Sequence, residues 1–151
     1  MRRATLADVP KLFELGAAMH AESRYKKFRL NQEKSEAFFA SIIDDKRFIV
    51  LVDGEPIHAM LIAFVSDFWW GDDTESSDLI IYVAPDRRGG ISAARLIRGY
   101  VSIAESMGVA DIKIGVSSGI DTERTLRFFE RLGFQSFASN CTLADGPAAV
   151  H

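Results

Sequence analysis

The stretch Ile80-Ile81-Tyr82-Val83-Ala84-Pro85-Asp86-Arg87-Arg88-Gly89-Gly90-Ile91-Ser92-Ala93-Ala94-Arg95-Leu96-Ile97 constrains this chain more than any other. Four β-favouring residues end at a proline, and two adjacent glycines follow. A helical pattern then starts at once, with Ala93, Leu96, Ile97, Tyr100, Val101 and Ala104 on one face and Gly108 closing it. A strand that feeds directly into an amphipathic helix needs both a sheet and a helix-covered face, so the segment dictates an α/β arrangement. The amides of such a turn and of the first helical turn are free of intrahelical partners and carry partial positive charge, which suits phosphate or pyrophosphate. Arg87 and Arg88 add charge, and the small residues Ser92, Ala93 and Ala94 leave room. Taken alone, the unit reads equally as a plain strand–turn–helix connection. It has neither the Gly-Lys-Ser/Thr of a P-loop nor the spacing of a dinucleotide fingerprint.

The rest of the chain fits around it. Asp8-Val9-Pro10 opens a first helix, with Leu12, Leu15 and Met19 on one face up to about His20. Glu22–Leu30, basic and without period, reads as a surface loop, and Asn31 caps a second helix carrying Phe38, Phe39, Ile42 and Ile43. Phe48–Val52 is a strand, Asp53-Gly54 signals a two-residue hairpin, and the return strand covers about Ile57–Phe68. Ser77–Ala84 is the next strand. After the helix that follows the glycines come a strand at Asp111–Val116, a loop at Ser117-Ser118-Gly119, a helix at Thr122–Leu132 and a last strand at Phe134–Leu143. Residues 1–143 then form one domain and 144–151 a tail. With a short first strand at Arg2–Ala4, the expectation is an α/β (α+β) fold. It has a mixed sheet of about six strands, helices on both faces and a parallel pair in the second half.

Composition narrows the function classes. The chain has 151 residues and a net charge of −3, which disfavours a duplex-binding surface because phosphate contacts need clustered Lys and Arg. Cys141 has no partner within the chain and there is no Cys/His cluster, so neither a disulfide nor a metal is expected, and a cytoplasmic setting is the simplest. Apolar runs such as Ala59–Val65 are too short to span a bilayer, and no secretory signal is evident.

Val83-Ala84-Pro85-Asp86-Arg87-Arg88-Gly89-Gly90-Ile91-Ser92 resembles the acyl-CoA signature of the GNAT superfamily of N-acetyltransferases, V-x-P-x-x-R-G-x-G-[IV]-[GA]. It departs from it in two ways: the residue between the glycines is missing, and Ser92 replaces Gly or Ala. The shortened form is similar to acetyltransferases encoded by phages. Arg3-Ala4-Thr5-Leu6-Ala7-Asp8 resembles the family's opening R-x-A-T-x-x-D, and Thr122–Phe134 its late N-x-x-A-x-x-[FL]-Y-x-[KR]-x-G-F helix.

The resemblance implies a splayed strand pair, Ser77–Ala84 and Asp111–Val116, opening a cleft for the pantetheine arm of acetyl-CoA. Ile81, Tyr82 and Val83 would hold that arm and the thioester. Arg87, Arg88, Gly89, Gly90, Ile91, Ser92 and Ala93 would hold the pyrophosphate, with Thr122 and Phe129 contributing from the late helix. The acceptor would be a small-molecule or protein amine, with homodimer formation left open. Asp78 and Glu75 are the candidate general bases, although alternation puts Asp78 on the face opposite Leu79, Ile81 and Val83 unless a bulge intervenes, and both also read as ordinary solvated carboxylates. Phe129 stands where the family often has tyrosine, so a proton donor would come from elsewhere, such as Ser117, Ser118 or water, or catalysis would be weak, although a thiolate that leaves readily can depart without one. Trp69 and Trp70 read as an acceptor pocket or as core or sheet edge, His20 as a substrate contact or helix end, and His58 as structural. The alternative to an active enzyme is a degenerate CoA-binding or interaction module, for example a virion-associated one.

Overall fold

The structure, a computed structural model, describes residues 1–138 and 141. Five strands form one sheet in sequence order: β1 (Arg2–Arg3), β2 (Phe48–Asp53), β3 (Ala59–Asp67), β4 (Thr74–Val83) and β5 (Asp111–Lys113). All neighbours are antiparallel except β4 and β5, which are parallel. Helices α1 (Val9–Glu22) and α2 (Gln32–Ile43) precede β2, α3 (Ser92–Ser106) connects β4 to β5, and α4 (Thr122–Arg131) follows β5.

The two middle strands explain their own composition. Ile49-Val50-Leu51-Val52 and Ala59-Met60-Leu61-Ile62-Ala63 are buried on both faces, so they read as continuous apolar runs rather than alternating ones. On one face Val50, Val52, Met60, Ile62 and Tyr82 pack against Leu12, Leu15, Phe39 and Ile42 of α1 and α2. On the other, Ile49, Leu51, Leu61 and Ala63 pack against Leu96, Ile97, Tyr100 and Ala104 of α3 and Phe129 of α4. Helices therefore cover both faces, as the sequence implies.

The start of the chain is pinned by Asp8. Its carboxylate accepts from the Thr5 amide at 2.7 Å and from both terminal nitrogens of Arg2 at 2.7 and 2.8 Å. Hydrogen bonding to Arg2 holds its pKa well below the usual carboxylate range, despite burial. Asn31 caps α2 as expected, its side chain accepting from the Lys34 amide at 2.9 Å.

Four expectations change. The two-residue hairpin at Asp53-Gly54 is a five-residue connection, because Asp53 pairs with Ala59 across the ladder. Asp53 is buried and accepts from Arg95 of α3 at 2.9 Å, so its carboxylate serves the interior rather than a turn. The segment Glu22–Leu30 contains a 3-10 turn at Arg24–Lys27, with the Ser23 side chain accepting from the Tyr25 amide. Trp69 and Trp70 are both more than three-quarters exposed and pack edge to face at the tip between β3 and β4, away from any core. Of the expected final strand Phe134–Leu143, residues 134–138 and 141 are not strand, and the others lie outside the described residues, as does the tail.

Candidate functional site

The sheet is forked. Beside β5, β4 is paired only at Glu75–Ser77, against Asp111–Lys113. Beyond that point, among the described residues, the edge of β4 from Asp78 to Val83 has no neighbouring strand on this side, and a cleft of about 510 Å³ opens between it and residues 115–118. Ile81, Tyr82 and Val83 line it, with Gly89, Gly90 and Ala93 at one end and Phe129 of α4 on a wall.

Asp78 stands at the crotch of the fork. In β3–β4 pairing the register slips: Ile62 faces Ile80, but Ala63 faces Asp78, so Leu79 is an extra residue in β4. Strict alternation would put Asp78 on the α1/α2 face. The bulge moves it to the side of its partner Ala63, which is the face of Ile81, Val83 and α3. Ser76 shifts with it: its hydroxyl lies 2.8 Å from Tyr100 Oη of α3, which donates to the Lys113 carbonyl at 3.0 Å. The displaced Leu79 is exposed on the cleft wall.

The Asp78 carboxylate accepts from the Gly115 amide at 2.7 Å, an N–H that has left the β4–β5 ladder. Its side chain thus wedges the strands where their backbones part. Burial pushes its pKa up to about 6, and the Gly115 hydrogen bond pulls the other way without cancelling it. The other candidate base is elsewhere: Glu75 projects to the opposite face and pairs with Lys113 Nζ at 2.7 Å, outside the cleft lining.

At the glycine turn, Gly89 has φ of +84°, a conformation that glycine adopts without strain. Among the described residues, the amides of Gly89 to Ala93 donate to no protein acceptor. That gives a run of unsatisfied N–H groups ahead of a 15-residue helix, a fit for an anionic diphosphate. Arg88 does not point at this cradle. Its Nε donates to the Val83 carbonyl at 3.0 Å, its guanidinium lies over the Tyr82 ring, and it pairs with both carboxylate oxygens of Glu22, one contact being 3.1 Å. Burial first, then hydrogen bonding to Glu22, raises the Tyr82 phenol to about 12.

Several expected ligand residues lie off the cleft. Arg87 is exposed and next to Asp86 at 3.5 Å, and Ile91 projects into solvent. The Ser92 side chain is buried against His58 Nε2 at 3.0 Å, which gives His58 the structural role expected of it. Thr122 is exposed at the first turn of α4, and Thr125, one turn on, faces the cleft instead. Phe129 does both jobs open to it: it lines the cleft and belongs to the core beside Phe128 and Phe134. His20 Nε2 lies 2.9 Å from the Phe28 carbonyl, which ties the end of α1 to the following loop.

Two cleft residues escape a sequence reading. Gly115 belongs to no motif. Tyr25, in the 3-10 turn after α1, lines the cleft and donates its hydroxyl proton to Ser117 Oγ at 2.7 Å, while the Arg24 amide donates to the Ser118 carbonyl at 2.9 Å. Ser117 is therefore at the cleft, as expected, but as one half of a pair. Among the described residues no His/Cys/Asp/Glu group is arranged to hold a metal, and no helix is long and apolar enough to cross a membrane.

No protein-family model matches the chain, and no curated protein matches its sequence. Solved structures do match its fold. A candidate acetyltransferase from an Arthrobacter species superposes with a TM-score of 0.75 at 25% identity, covering 94% of this chain and 88% of that one. An acetyltransferase from Trypanosoma brucei gives 0.71 at 20% identity over 94% and 96%. A protein from Bacillus halodurans described as a transcriptional regulator gives 0.76 at 21% identity over 94% and 96%. The chain has the fold of the GNAT acetyltransferases, with its forked parallel pair and its helices on both faces of a mixed sheet.

Proposed function

We propose that the protein is an acetyl-CoA-dependent N-acetyltransferase, in which an amine attacks the thioester directly while both are bound. The observation that carries this reading is the fork: an edge at Asp78–Val83 with no strand beside it among the described residues, leading to a run of unsatisfied amides at Gly89–Ala93, with a half-buried carboxylate at its apex. Those amides would take the pyrophosphate, and the open edge of β4 would take the amide groups of the pantetheine arm. Arg88 occupies the Val83 carbonyl, so the arm would use the edge before it or displace that side chain. When bound, acetyl-CoA supplies an activated acetyl carbon and a thiol leaving group.

Asp78 is the general base in this reading. With its pKa near 6 it is ionised at neutral pH, yet basic enough to take a proton from an incoming ammonium. The Gly115 amide fixes its orientation. Most of the remaining rate would come from holding amine and acetyl carbon side by side, for which effective molarities correspond to roughly 7–11 kcal/mol. The acceptor, small molecule or protein, is an amine small enough at its reactive end to reach Asp78.

A second reading has one observation behind it. Phe129 carries no hydroxyl and Thr122 lies outside the cleft, which favours a chain that holds CoA without turning it over. Thiol release from acetyl-CoA with a mixed amine panel, alongside thermal melts with CoA, separates the two. Amine-dependent release with a raised Tm is the expected result, because a ligand that binds only the native state stabilises it. A raised Tm without release favours the second reading, and no change in either removes both.

A further inference from the structure

In an acetyltransferase of this kind the departing thiolate lacks a proton donor from the late helix, since Phe129 cannot supply one. We propose that Tyr25 is the general acid, its phenol protonating the CoA sulfur as the carbon–sulfur bond breaks, with Ser117 holding it in place. This rests on the acetyltransferase reading and adds a catalytic residue to it.

Few proton donors line the cleft. Asp78 is committed to the Gly115 amide and serves as the base. Ser117, Ser118 and Thr125 are alkanols, which are far weaker acids than phenols. Two phenols line the cleft, Tyr82 and Tyr25. Tyr82 is buried and its hydroxyl faces Glu22, a carboxylate that holds the proton and makes the phenol a poorer acid. Tyr25 instead donates to a neutral hydroxyl, Ser117 Oγ, at 2.7 Å. Its proton can be turned toward a neighbouring sulfur at the cost of one hydrogen bond between neutral groups. A phenol so placed can pass its proton as the carbon–sulfur bond breaks, when charge on sulfur is building.

The position is also fixed from the backbone. The Ser23 side chain caps the 3-10 turn that carries Tyr25, and the neighbouring Arg24 amide is anchored on the Ser118 carbonyl. Tyr25 thus approaches from the 115–118 wall, across the cleft from the β4 edge. The step balances. The amine nitrogen, already relieved of one proton by Asp78, bonds to the acetyl carbon, and the carbon–sulfur bond breaks. The Tyr25 proton passes to sulfur, giving the free thiol, and the phenolate recovers a proton from the acylated nitrogen through Ser117 or solvent.

Four measurements on the full chain test this. Tyr25→Phe keeps the ring and is expected to lower kcat by about 100-fold, within the usual range for a positioned acid, while KM for acetyl-CoA changes little. Fluorotyrosines of graded acidity at position 25 should change kcat in step with phenol acidity, a trend that a merely structural role would not produce. Binding is the readout independent of turnover. Wild-type protein should bind CoA about tenfold more tightly than desulfo-CoA, and Tyr25→Phe should erase that difference, the loss expected for a hydrogen bond to a charged group. Ser117→Ala should lower kcat less than Tyr25→Phe, since it loosens the phenol without removing it. A Tyr25→Phe protein with native Tm and kcat within twofold of wild type overturns the proposal and leaves the acetyltransferase reading standing. A fall in kcat with a flat fluorotyrosine series and an unchanged preference for CoA also overturns it, because Tyr25 would then only shape the rim. If wild-type protein binds CoA but acetylates no amine, the activity and the acid fall together.

Discussion

The substitution Asp78→Asn should make the protein more stable and less active, and the pH dependence of the first effect is the informative part. Burial lifts the Asp78 pKa from 3.8 to about 6 in the folded chain. The folded state therefore binds its proton more tightly than the unfolded state does. Its contribution to stability is fully present below about pH 4 and is lost as pH rises through about pH 6. At about 1.4 kcal/mol per pH unit, keeping the ionised carboxylate in the fork costs about 3 kcal/mol above that window. The asparagine side chain would keep an oxygen for the Gly115 amide and carry no charge, but its amide hydrogens need partners that the carboxylate did not. A net gain of about 1–2 kcal/mol at neutral or higher pH remains, or roughly 3–6 °C in Tm for a chain of this size. Around pH 4, where Asp78 is already protonated, only the cost of the amide hydrogens remains, and the variant should be about 1–2 kcal/mol less stable than wild type. Melts of both proteins across that range measure it. In parallel, kcat/KM should fall by about 100-fold or more, and the acidic limb near pH 6 in the wild-type profile should disappear. A variant destabilised equally at both pH extremes would refute the claim that burial of charge dominates at this site. Unchanged kcat/KM would remove Asp78 from the base role whatever the melts show.

Gly90→Asp places a carboxylate at the amide cradle, where an added Cβ would lie 3.4 Å from the Arg87 carbonyl, close but tolerable. The variant should fold and lose the rise in Tm on adding CoA, and a normal rise would move the phosphates elsewhere. Phe129→Tyr puts a hydroxyl into a residue 5% exposed, with aromatic neighbours on both sides. It should cost about 1–3 kcal/mol in urea denaturation and leave thiol release unchanged. Retained stability with faster release would place position 129 at the sulfur and take the acid role from Tyr25. Tyr100→Phe removes the hydroxyl shared by Ser76 and the Lys113 carbonyl under the paired part of β4 and β5. A loss of about 1–3 kcal/mol is expected, and an unchanged denaturation midpoint would mean that water replaces the bond freely.

The fold was legible where a residue's role follows from its neighbours in sequence. The strand at Ile80–Val83, the Gly89-Gly90 turn and the apolar face of α3 sit as their periodicity requires, and Asn31 caps α2 with its own side chain. Legibility failed where a side chain takes a distant partner. Asp53-Gly54 has the composition of a tight turn, but Arg95 of α3 draws the carboxylate inside and the chain turns further on. Ser92 has the size expected of a pyrophosphate contact, yet His58, more than thirty residues earlier, holds it facing away from the cleft. Nothing in either local pattern encodes those partners.

The same division runs through the site, and it falls between backbone and side chains. The Gly89-Gly90 turn proposed for the diphosphate was readable because its backbone geometry leaves marks on composition, whereas the β4 edge proposed for the pantetheine arm was implied only by the resemblance of the signature. The groups proposed for proton transfer depend instead on register and on loop docking. One extra residue, Leu79, decides which face of the sheet Asp78 occupies, and alternation alone places it on the wrong one. Tyr25 lies in a basic, aperiodic segment and meets Ser117 across 92 positions of chain. The missing hydroxyl at Phe129 was plain in the sequence. What the sequence could not supply was the proposed compensation, because a phenol from outside the late helix reaches the cleft only once the turn after α1 docks on the 115–118 segment. On the proposed reading, the binding half of the cleft keeps a recognisable form while its chemistry sits on residues that no local motif contains.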